Sequence, residues 1–175
     1  MADLSKFETE PKLQLLKEIK GARCVMLGSP VASEHMQPMA PQIDKQTVKT
    51  VEEGGDSVIY FFSDNTSDLG KAIMKNPGAR VMATHIGSDY QACVEGAIYP
   101  VLNDPTLIER FWNPIAASWY PDGKGDPKML MLKFVPITAA VWASTGNPFK
   151  FAYETAKANI TDTLPDVGSS KIIAA

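Results

Sequence analysis

The 175-residue sequence contains few of the features that mark specialised protein classes. It has two cysteines, Cys24 and Cys93, too few for a disulfide framework; each lies in an apolar run, which predicts a reduced, buried thiol. The two histidines, His35 and His85, lie on different predicted strands, and no metal-ligand spacing surrounds them. No apolar run approaches the ~18 residues of a membrane span, and the N-terminus lacks a signal-peptide core. We therefore expect a cytoplasmic protein with no membrane partner.

Concentrated positive charge is also missing. The chain has 17 Lys and Arg against 20 Asp and Glu, a net charge of −3, and its basic residues are scattered. Because phosphate backbones are bound by concentrated basic faces, we expect no nucleic-acid partner. The glycine-rich phosphate and dinucleotide loops, the CxxC pair and the serine-hydrolase and zinc-protease signatures are absent from the sequence.

The sequence does contain many short strand-like runs separated by turn residues. Seven runs have this character: 22–29, 35–44, 57–63, 79–87, 89–102, 129–136 and 137–144. Capping signals and apolar spacing predict helices within 9–21, 66–75, 104–115 and 147–160. This order favours an α+β fold, mainly β, in which six or seven antiparallel strands form a small barrel with helical additions.

Several elements carry more detailed expectations. Pro38 and Pro41 predict an edge or bulged strand, and Gly96 predicts a bulge or the close approach of another backbone. The polar segment 45–56 ends in a turn signal and is not predicted to be helical. We expect a single domain over residues 1–160, with residues 161–175 as a C-terminal tail that docks on a partner or is partly disordered.

The aromatic stretch RFWNPIAASWYPDGKGDP, residues 110–127, contains two of the three tryptophans. The apolar residues of one predicted helix follow at helical spacing: Leu107, Ile108, Phe111, Trp112 and Ile115. Phe111 lies on the inner stripe with Leu107 and Ile108 and is assigned to the core. Trp112 lies one position around that face, and Trp119 lies beyond the helix. Periodicity leaves open whether these two are ordinary packing residues or cover a flat ligand.

One segment has the chemistry of an anion site. The strand SVIYFFS is followed by the polar loop DNTSD and by a helix that carries Lys71. A helix N-terminus supplies unpaired N–H groups and a partial positive charge, which hydroxyls and a lysine complement. The alternative from the residues alone is an ordinary capped surface helix with a solvated lysine.

The whole chain resembles the pyridoxamine-phosphate-oxidase-like superfamily with its FMN-binding split barrel, in the general stress protein branch. Four segments carry the resemblance, over roughly residues 8–160: VIYFFS…K…I…NPGARV at 58–81, YQACVEGAIYPVLND at 90–104, FWNP…WYPDGKGDP at 111–127 and VPITAAVW at 135–142. It implies a six- to seven-stranded antiparallel split barrel that binds FMN, with FAD as the alternative. It also implies a homodimer with the cofactor at the subunit interface.

The resemblance assigns roles to individual residues. Lys71 matches the lysine that holds the FMN phosphate, and Gln91 matches a glutamine at the isoalloxazine edge. Trp142 matches an aromatic residue that approaches the flavin from the partner subunit, and the FW segment places Trp112 beside the ring. The remaining implied contacts are Met36, Gln37, Pro38 and Met39 along the flavin, and Phe62, Ser63, Thr66 and Ser67 beside the ribityl phosphate.

Two departures from the family pattern bear on function. Gln37 stands where the family has an arginine before Pro-Met; losing such a charge-assisted contact costs ~1.5–3 kcal/mol, or roughly one to two decades in FMN affinity, unless His35 substitutes in part. The segment after Trp142, ASTGNPFKFAYE, lacks the arginine- and histidine-rich substrate motif of the oxidases. Pyridoxamine-phosphate oxidase activity is therefore rejected.

Three readings of function follow. The first is an FMN-binding general-stress-type protein that acts as a flavin-dependent oxidoreductase, with no catalytic residue assigned because the flavin carries the redox chemistry. The second is a non-catalytic flavin-binding or sensing protein. The third is a split barrel that binds haem, through His35 or His85, or a deazaflavin.

Overall fold

Alternating apolar residues build one antiparallel sheet in a computed structural model of the chain, which describes residues 4–32 and 35–175. Within those residues the strands are β1 (Val25–Gly28), β2 (Gln37–Met39), β3 (Ile59–Asp64), β4 (Ala79–Ile86), β5 (Tyr90–Val101), β6 (Met129–Ser144) and β7 (Gly168–Ala174). The helices are α1 (Leu4–Thr9), α2 (Pro11–Gly21), α3 (Lys45–Glu52), α4 (Asp68–Lys75), α5 (Pro105–Phe111), α6 (Pro114–Trp119) and α7 (Pro148–Thr161).

The sheet is almost closed into a barrel. Its strand order is β2-β1-β4-β5-β6-β3, and a single bridge between Gln42 and Tyr60 joins the two ends across a seam. Strand β2 is an edge strand, as Pro38 predicted, because proline has no N–H to donate to a second neighbour. The α+β split-barrel fold predicted from the sequence is confirmed.

Strand β6 organises the barrel. It is one continuous 16-residue strand, where the sequence predicted two. One edge pairs with β5 along most of its length, while the other edge pairs with β3 at its start and with β7 at its end. The predicted irregularity at Gly96 is confirmed: the β5–β6 register shifts between Glu95 and Gly96. A Cβ on Gly96 would overlap the carbonyl oxygen of Val135 and the ring of Phe134.

The core lies inside the barrel and beneath α2. Residues from alternate positions of β3, β5 and β6 fill it, together with the stripe Leu15, Leu16 and Ile19 of α2 that the sequence predicted. A smaller cluster of Leu107, Phe111 and Met131 lies under α5 and confirms Phe111 as core.

Two helices were not predicted because their sequences are mostly polar. Helix α3 buries only Thr47 and Val51, too few for a recognisable apolar stripe, and the carboxylate of Asp44 caps it by accepting the N–H of Thr47 at 2.8 Å. Helix α1 ends at Thr9, so Thr9 does not cap α2; that position is held by Glu10, whose side chain makes no capping hydrogen bond.

The helix predicted over 104–115 is two short helices. Asp104 caps α5 as expected, accepting the N–H of Leu107 at 2.9 Å. Asn113 then caps α6, and Pro114 cannot donate the hydrogen bond that would continue α5. Ile115, which follows the helical spacing of the sequence, therefore points outward on α6, and its side chain is 70% exposed.

The C-terminal region and the two cysteines add detail that the sequence did not give. Residues 161–175, expected as a tail that docks on a partner or is partly disordered, contain β7, which pairs with β6. The apolar face predicted for the last helix is exposed, since α7 buries no residue within the described chain. Cys24 is exposed and Cys93 is half-buried, so the prediction of two buried thiols is wrong. No helix among the described residues has the length and apolar character to cross a membrane.

Candidate cofactor-binding site

The connection between β3 and α4 is a tightly bonded turn. The carboxylate of Asp64 accepts the N–H and the hydroxyl of Thr66, both at 2.6 Å. The hydroxyl of Ser67 donates to the Asp64 carbonyl at 2.7 Å and accepts the N–H of Gly70 at 3.0 Å. Of the two capping residues that the sequence allows, Thr66 and Ser67, the N-cap of α4 is therefore Ser67. A Cβ on Gly70 would overlap the Asp64 carbonyl oxygen, so this turn requires glycine. Lys71, in the first turn of α4, is exposed beside it.

The turn concentrates opposite charges at the start of α4. The hydrogen bonds from Thr66 are the main reason that the pKa of Asp64 lies below its usual value, and Lys128 and Lys71 lower it further. Asp64 is therefore a carboxylate at neutral pH, with two ammonium groups in its vicinity. Lys71 and Lys128 place two positive charges at a helix N-terminus, which suits a phosphate, while the hydroxyls of Thr66 and Ser67 already donate to Asp64 and hold the turn closed.

Lys128 was missed by the sequence reasoning. It precedes β6, whose first residue, Met129, lies opposite Asp64 in the β3–β6 ladder. The backbone N–H of Asn65 donates to the Lys128 carbonyl at 2.9 Å, and the Asn65 side chain donates to the Pro127 carbonyl at 2.6 Å. Only the strand pairing brings Lys128 here, so no local motif could have indicated it.

The aromatic stretch packs against the outer side of β3. The ring of Trp112 meets that of Phe62 edge to face, with centroids 6.0 Å apart, and Tyr120 lies 6.2 Å from Phe62 and 6.3 Å from Trp112. Trp112 is half-buried in this three-ring cluster, whereas Trp119 is 77% exposed. The exposed remainder of Trp112 and Phe62 gives this end of the barrel an aromatic surface close to the lysines.

Tyr120 ties the aromatic cluster to the turn. Its buried hydroxyl donates to the Ser63 carbonyl at 2.9 Å, one residue before Asp64. Burial raises the pKa of Tyr120 to about 12, with Asp64 and Asp126 adding to the shift, so the phenol remains a donor. The loop after α6, which the sequence treated as a break, thus supports the β3–α4 turn.

The β2 residues lie across the seam from this turn. The antiparallel bridge between Gln42 and Tyr60 places the chain before Gln42 alongside the chain after Tyr60. Met36 and Pro38 are exposed and Gln37 is half-buried, while the side chain of Met39 points into the core and is 7% exposed. Any contact of Met39 with a cofactor would therefore involve its backbone. We call this assembly of β2, the β3–α4 turn and the ring cluster the phosphate end.

Gln91 and Trp142 lie elsewhere. They face each other across β5 and β6, and the side chain of Gln91 donates to the Gly87 carbonyl at 2.9 Å. Phe62 lies opposite Met131 of β6, eleven residues before Trp142, which is about 35 Å along a strand. The structure therefore divides the predicted site residues between the phosphate end and a hairpin end, defined by the β4–β5 turn, Gln91 and Trp142.

The histidines do not converge on a site. His85 is 8% exposed, and its ring lies 6.4 Å from that of Tyr90 inside the barrel, whereas His35 is exposed. Burial lowers the pKa of His85, with Glu18 opposing the shift. Among the described residues, no group of three His, Cys, Asp or Glu side chains is arranged to hold a metal ion.

Comparison with known proteins then identifies the family. The family "Pyridoxamine 5'-phosphate oxidase like" matches residues 10–166, nearly the whole chain. The chain belongs to this pyridoxamine 5'-phosphate oxidase-like family. No curated protein matches the sequence.

Solved structures of similar proteins agree with the fold. A candidate general stress protein 26 from Jannaschia sp. CCS1 superposes with a TM-score of 0.77 at 24% identity, covering 95% of this chain and 99% of that one. The general stress FMN/FAD binding protein of Xanthomonas citri gives 0.67 at 28% identity, covering 79% and 92%. A candidate general stress family protein of Xanthomonas campestris pv. campestris gives 0.63 at 30%, covering 84% and 93%.

Proposed function

We propose that this chain is an FMN-binding protein of the general stress type, whose flavin sites are each shared between two copies of the chain. The observation that carries the proposal is the β3–α4 turn, where Lys71 and Lys128 place positive charge at the start of α4 beside exposed aromatic rings. Ser67 and Gly70 fix the shape of that turn. A flavin mononucleotide combines these two chemistries, a phosphate and a flat ring. The similar X. citri protein is described as binding FMN or FAD, which supports the same ligand class.

The division of the site supports a second copy. An isoalloxazine with its ribityl phosphate is far shorter than the roughly 35 Å along β6 between Met131 and Trp142. One flavin cannot contact Lys71 and Trp142 of the same chain. In a two-fold dimer, the phosphate end of one copy can meet the hairpin end of the other, and this contact occurs twice.

The outer face of the sheet suits such an association. One register row crosses five strands through Met26, Thr84, Cys93, Ala140 and Ile172. Ile86 and Ile172 on this face are 77% and 83% exposed, and Arg80 and Glu95, from the next two outward-facing rows, pair with each other. An exposed apolar sheet face with its charges neutralised is typical of a surface that another protein covers.

Each end has a distinct role in this proposal. At the phosphate end, Lys71 and Lys128 supply positive charge and Ser67 holds the start of α4. The ring cluster there offers an aromatic surface to the flavin ring. At the hairpin end, Gln91 offers an amide and Trp142, 46% exposed, offers an indole for a ring edge and face. The flavin, when bound, supplies the hydride or electron chemistry, and the protein positions it and excludes water. Two free thiols, one of them exposed, are consistent with a reducing, cytoplasmic location.

Flavin binding is tested by the absorption spectrum and by titration. We expect purified protein to bind FMN with a flavin spectrum, and Lys71→Ala to weaken binding by roughly 10- to 100-fold through loss of a charge-assisted contact. Lys75→Ala, one turn along the same helix, is the control and should leave the affinity unchanged. A Soret band, or equal affinity for the two variants, would contradict the proposal.

Reduction of the bound flavin separates an oxidoreductase from a flavin-binding or sensing protein. If the protein is an oxidoreductase that uses these donors, anaerobic mixing with NADH or NADPH should bleach the absorbance of its bound flavin on the timescale of turnover. A flavin that remains oxidised supports the non-catalytic reading. Pyridoxamine phosphate should not be oxidised, because Lys150 is the only cation in the segment 143–154 that follows Trp142.

A further inference from the structure

Helix α7 presents an unpartnered apolar stripe. Phe149, Tyr153, Ala156 and Ile160 follow at intervals of four, three and four residues, which places them on one helical face. The side chains of Phe149, Tyr153 and Ile160 are 85%, 66% and 84% exposed, and α7 buries no residue against its own barrel. A helix of 14 residues is only marginally stable without packing, so this stripe calls for a partner surface.

A second exposed apolar surface lies on α6. Ile115 and Trp119, one helical turn apart, are 70% and 77% exposed. Ala116, on the other side of the helix, is buried against the barrel. We call these two residues the α6 patch and the four residues above the α7 stripe.

The two surfaces belong to opposite ends of the divided site. The α6 patch is part of the phosphate end, because Trp119 precedes Tyr120, whose hydroxyl bonds to the Ser63 carbonyl. The α7 stripe is part of the hairpin end: α7 begins four residues after β6, and the Ser144 N–H donates to the Asp89 carbonyl of the β4–β5 turn at 2.9 Å. A dimer that joins the phosphate end of one copy to the hairpin end of the other therefore brings the segment that carries the α6 patch near the segment that carries the α7 stripe.

We infer that the α7 stripe of one copy packs on the α6 patch of a second copy, so that α7 closes over the flavin site that the two copies share. This inference rests on the proposed function for its orientation. This contact covers Trp119, whose side chain is exposed in a single chain even though the next residue, Tyr120, is buried. It also assigns the partner surface that α7 lacks within its own chain.

Area and charge favour a second copy over other partners. Covering Phe149, Tyr153, Ile160, Ile115 and Trp119 removes roughly 650 Å², and making the contact twice gives roughly 1,300 Å², within the range of stable interfaces. The charges around the stripe are paired within the chain: Lys150 lies 3.7 Å from Asp166, and Lys157 lies 3.3 Å from Glu154. A nucleic acid or an anionic membrane would require unpaired basic residues there.

The test compares two double variants of the full-length protein. Phe149→Ser with Ile160→Ser removes the stripe, and Ile115→Ser with Trp119→Ser removes the patch. Leu164→Ser, at a side chain that is 94% exposed and outside both surfaces, is the control. Sedimentation over a concentration series gives the dimer dissociation constant, circular dichroism verifies folding, and FMN is titrated into the same samples.

We expect a wild-type dimer, at least tenfold weaker association for each double variant, and no change for the control. The quadruple variant should associate no more weakly than either double variant, because both remove the same contact. A monomeric wild type, a loss from only one of the two surfaces, or additive losses would overturn the inference. Because FMN binding is read separately, a dimer that responds as expected but binds no flavin contradicts only the proposed function. A flavin-binding dimer that is insensitive to both variants contradicts only the α7 contact.

Discussion

The phosphate end and the hairpin end of the barrel differ in where their support comes from. At the phosphate end, the Asp64–Thr66–Ser67 turn is closed by its own hydrogen bonds and held from behind by Tyr120 and the ring cluster. At the hairpin end, Trp142 and the stripe of α7 face outward, and buried polar atoms near the turn lack partners within the described chain: Nδ1 of His85 and the hydroxyl of Tyr90. The β3–α4 turn of the first end is held by contacts within one chain, whereas the second end exposes apolar side chains that a second copy covers in the proposed dimer.

The largest expected effect comes from breaking the ladder that connects the two ends. A Cβ at position 96 overlaps the backbone carbonyl of Val135, which cannot move without disturbing β6. Gly96→Ala should lower the free energy of unfolding by about 3 kcal/mol, as severe overpacking does. Gly125→Ala, where a Cβ meets no atom within 4 Å, is the control in urea denaturation. Equal midpoints for the two variants would show that the close approach at Gly96 is not required.

A smaller effect is expected from loosening the phosphate end alone. Tyr120→Phe keeps the ring in the aromatic cluster but leaves the buried Ser63 carbonyl without its donor. Stability should fall by about 1 kcal/mol. FMN affinity should also fall, since the β3–α4 turn loses the hydrogen bond that holds the Ser63 carbonyl. Trp142→Phe is the matched change at the hairpin end and should weaken FMN binding with little change in the urea midpoint. If Tyr120→Phe affected neither quantity, the phosphate end would not depend on this hydrogen bond.

The smallest effect is expected at the hairpin end and only in acid. Burial lowers the pKa of His85 in the folded protein, while Glu18, the charged group acting on it, opposes the shift. The unfolded chain therefore binds the proton more tightly, so the stability contributed by neutral His85 is present above about pH 6.5 and is lost as the pH falls below it.

His85→Gln removes this titratable group and leaves the other histidine, the exposed His35, in place in both proteins. Thermal unfolding of the wild type and the variant, measured from pH 7.5 down to 5, should show the wild type losing stability relative to His85→Gln. Parallel curves over this range would mean that burial of His85 does not contribute to acid sensitivity.

The sequence predicted the phosphate end better than the hairpin end, because features of the phosphate end depend on residues that are close together in the chain. A cap of α4 at Thr66 or Ser67, Asp104 as the cap of α5 and Phe111 as core all depend on neighbours within one or two helical turns. Lys128 reaches the same turn only through the β3–β6 pairing, which no local pattern reveals.

The errors at the C-terminal side have a related cause. The spacing of Phe149 and Ile160 correctly indicates an apolar helical face, but it does not tell whether that face packs on its own barrel or on another molecule. The same holds for Ile115, whose outward direction follows from the break at Pro114 rather than from periodicity. The expected tail contains β7 because the second half of β6 offers a free edge, which is again a property of distant residues.

The most direct test of the shared site is subunit complementation. Lys71→Ala disables the phosphate end and Trp142→Ala disables the hairpin end, so each variant alone should bind FMN weakly. Refolding or co-expressing the two in equal amounts should restore wild-type affinity in about one quarter of the sites, because each mixed dimer has one site with both ends intact. If the mixture binds no more FMN at high affinity than the separate variants do, the two ends do not meet across a dimer and the account of a shared site is wrong.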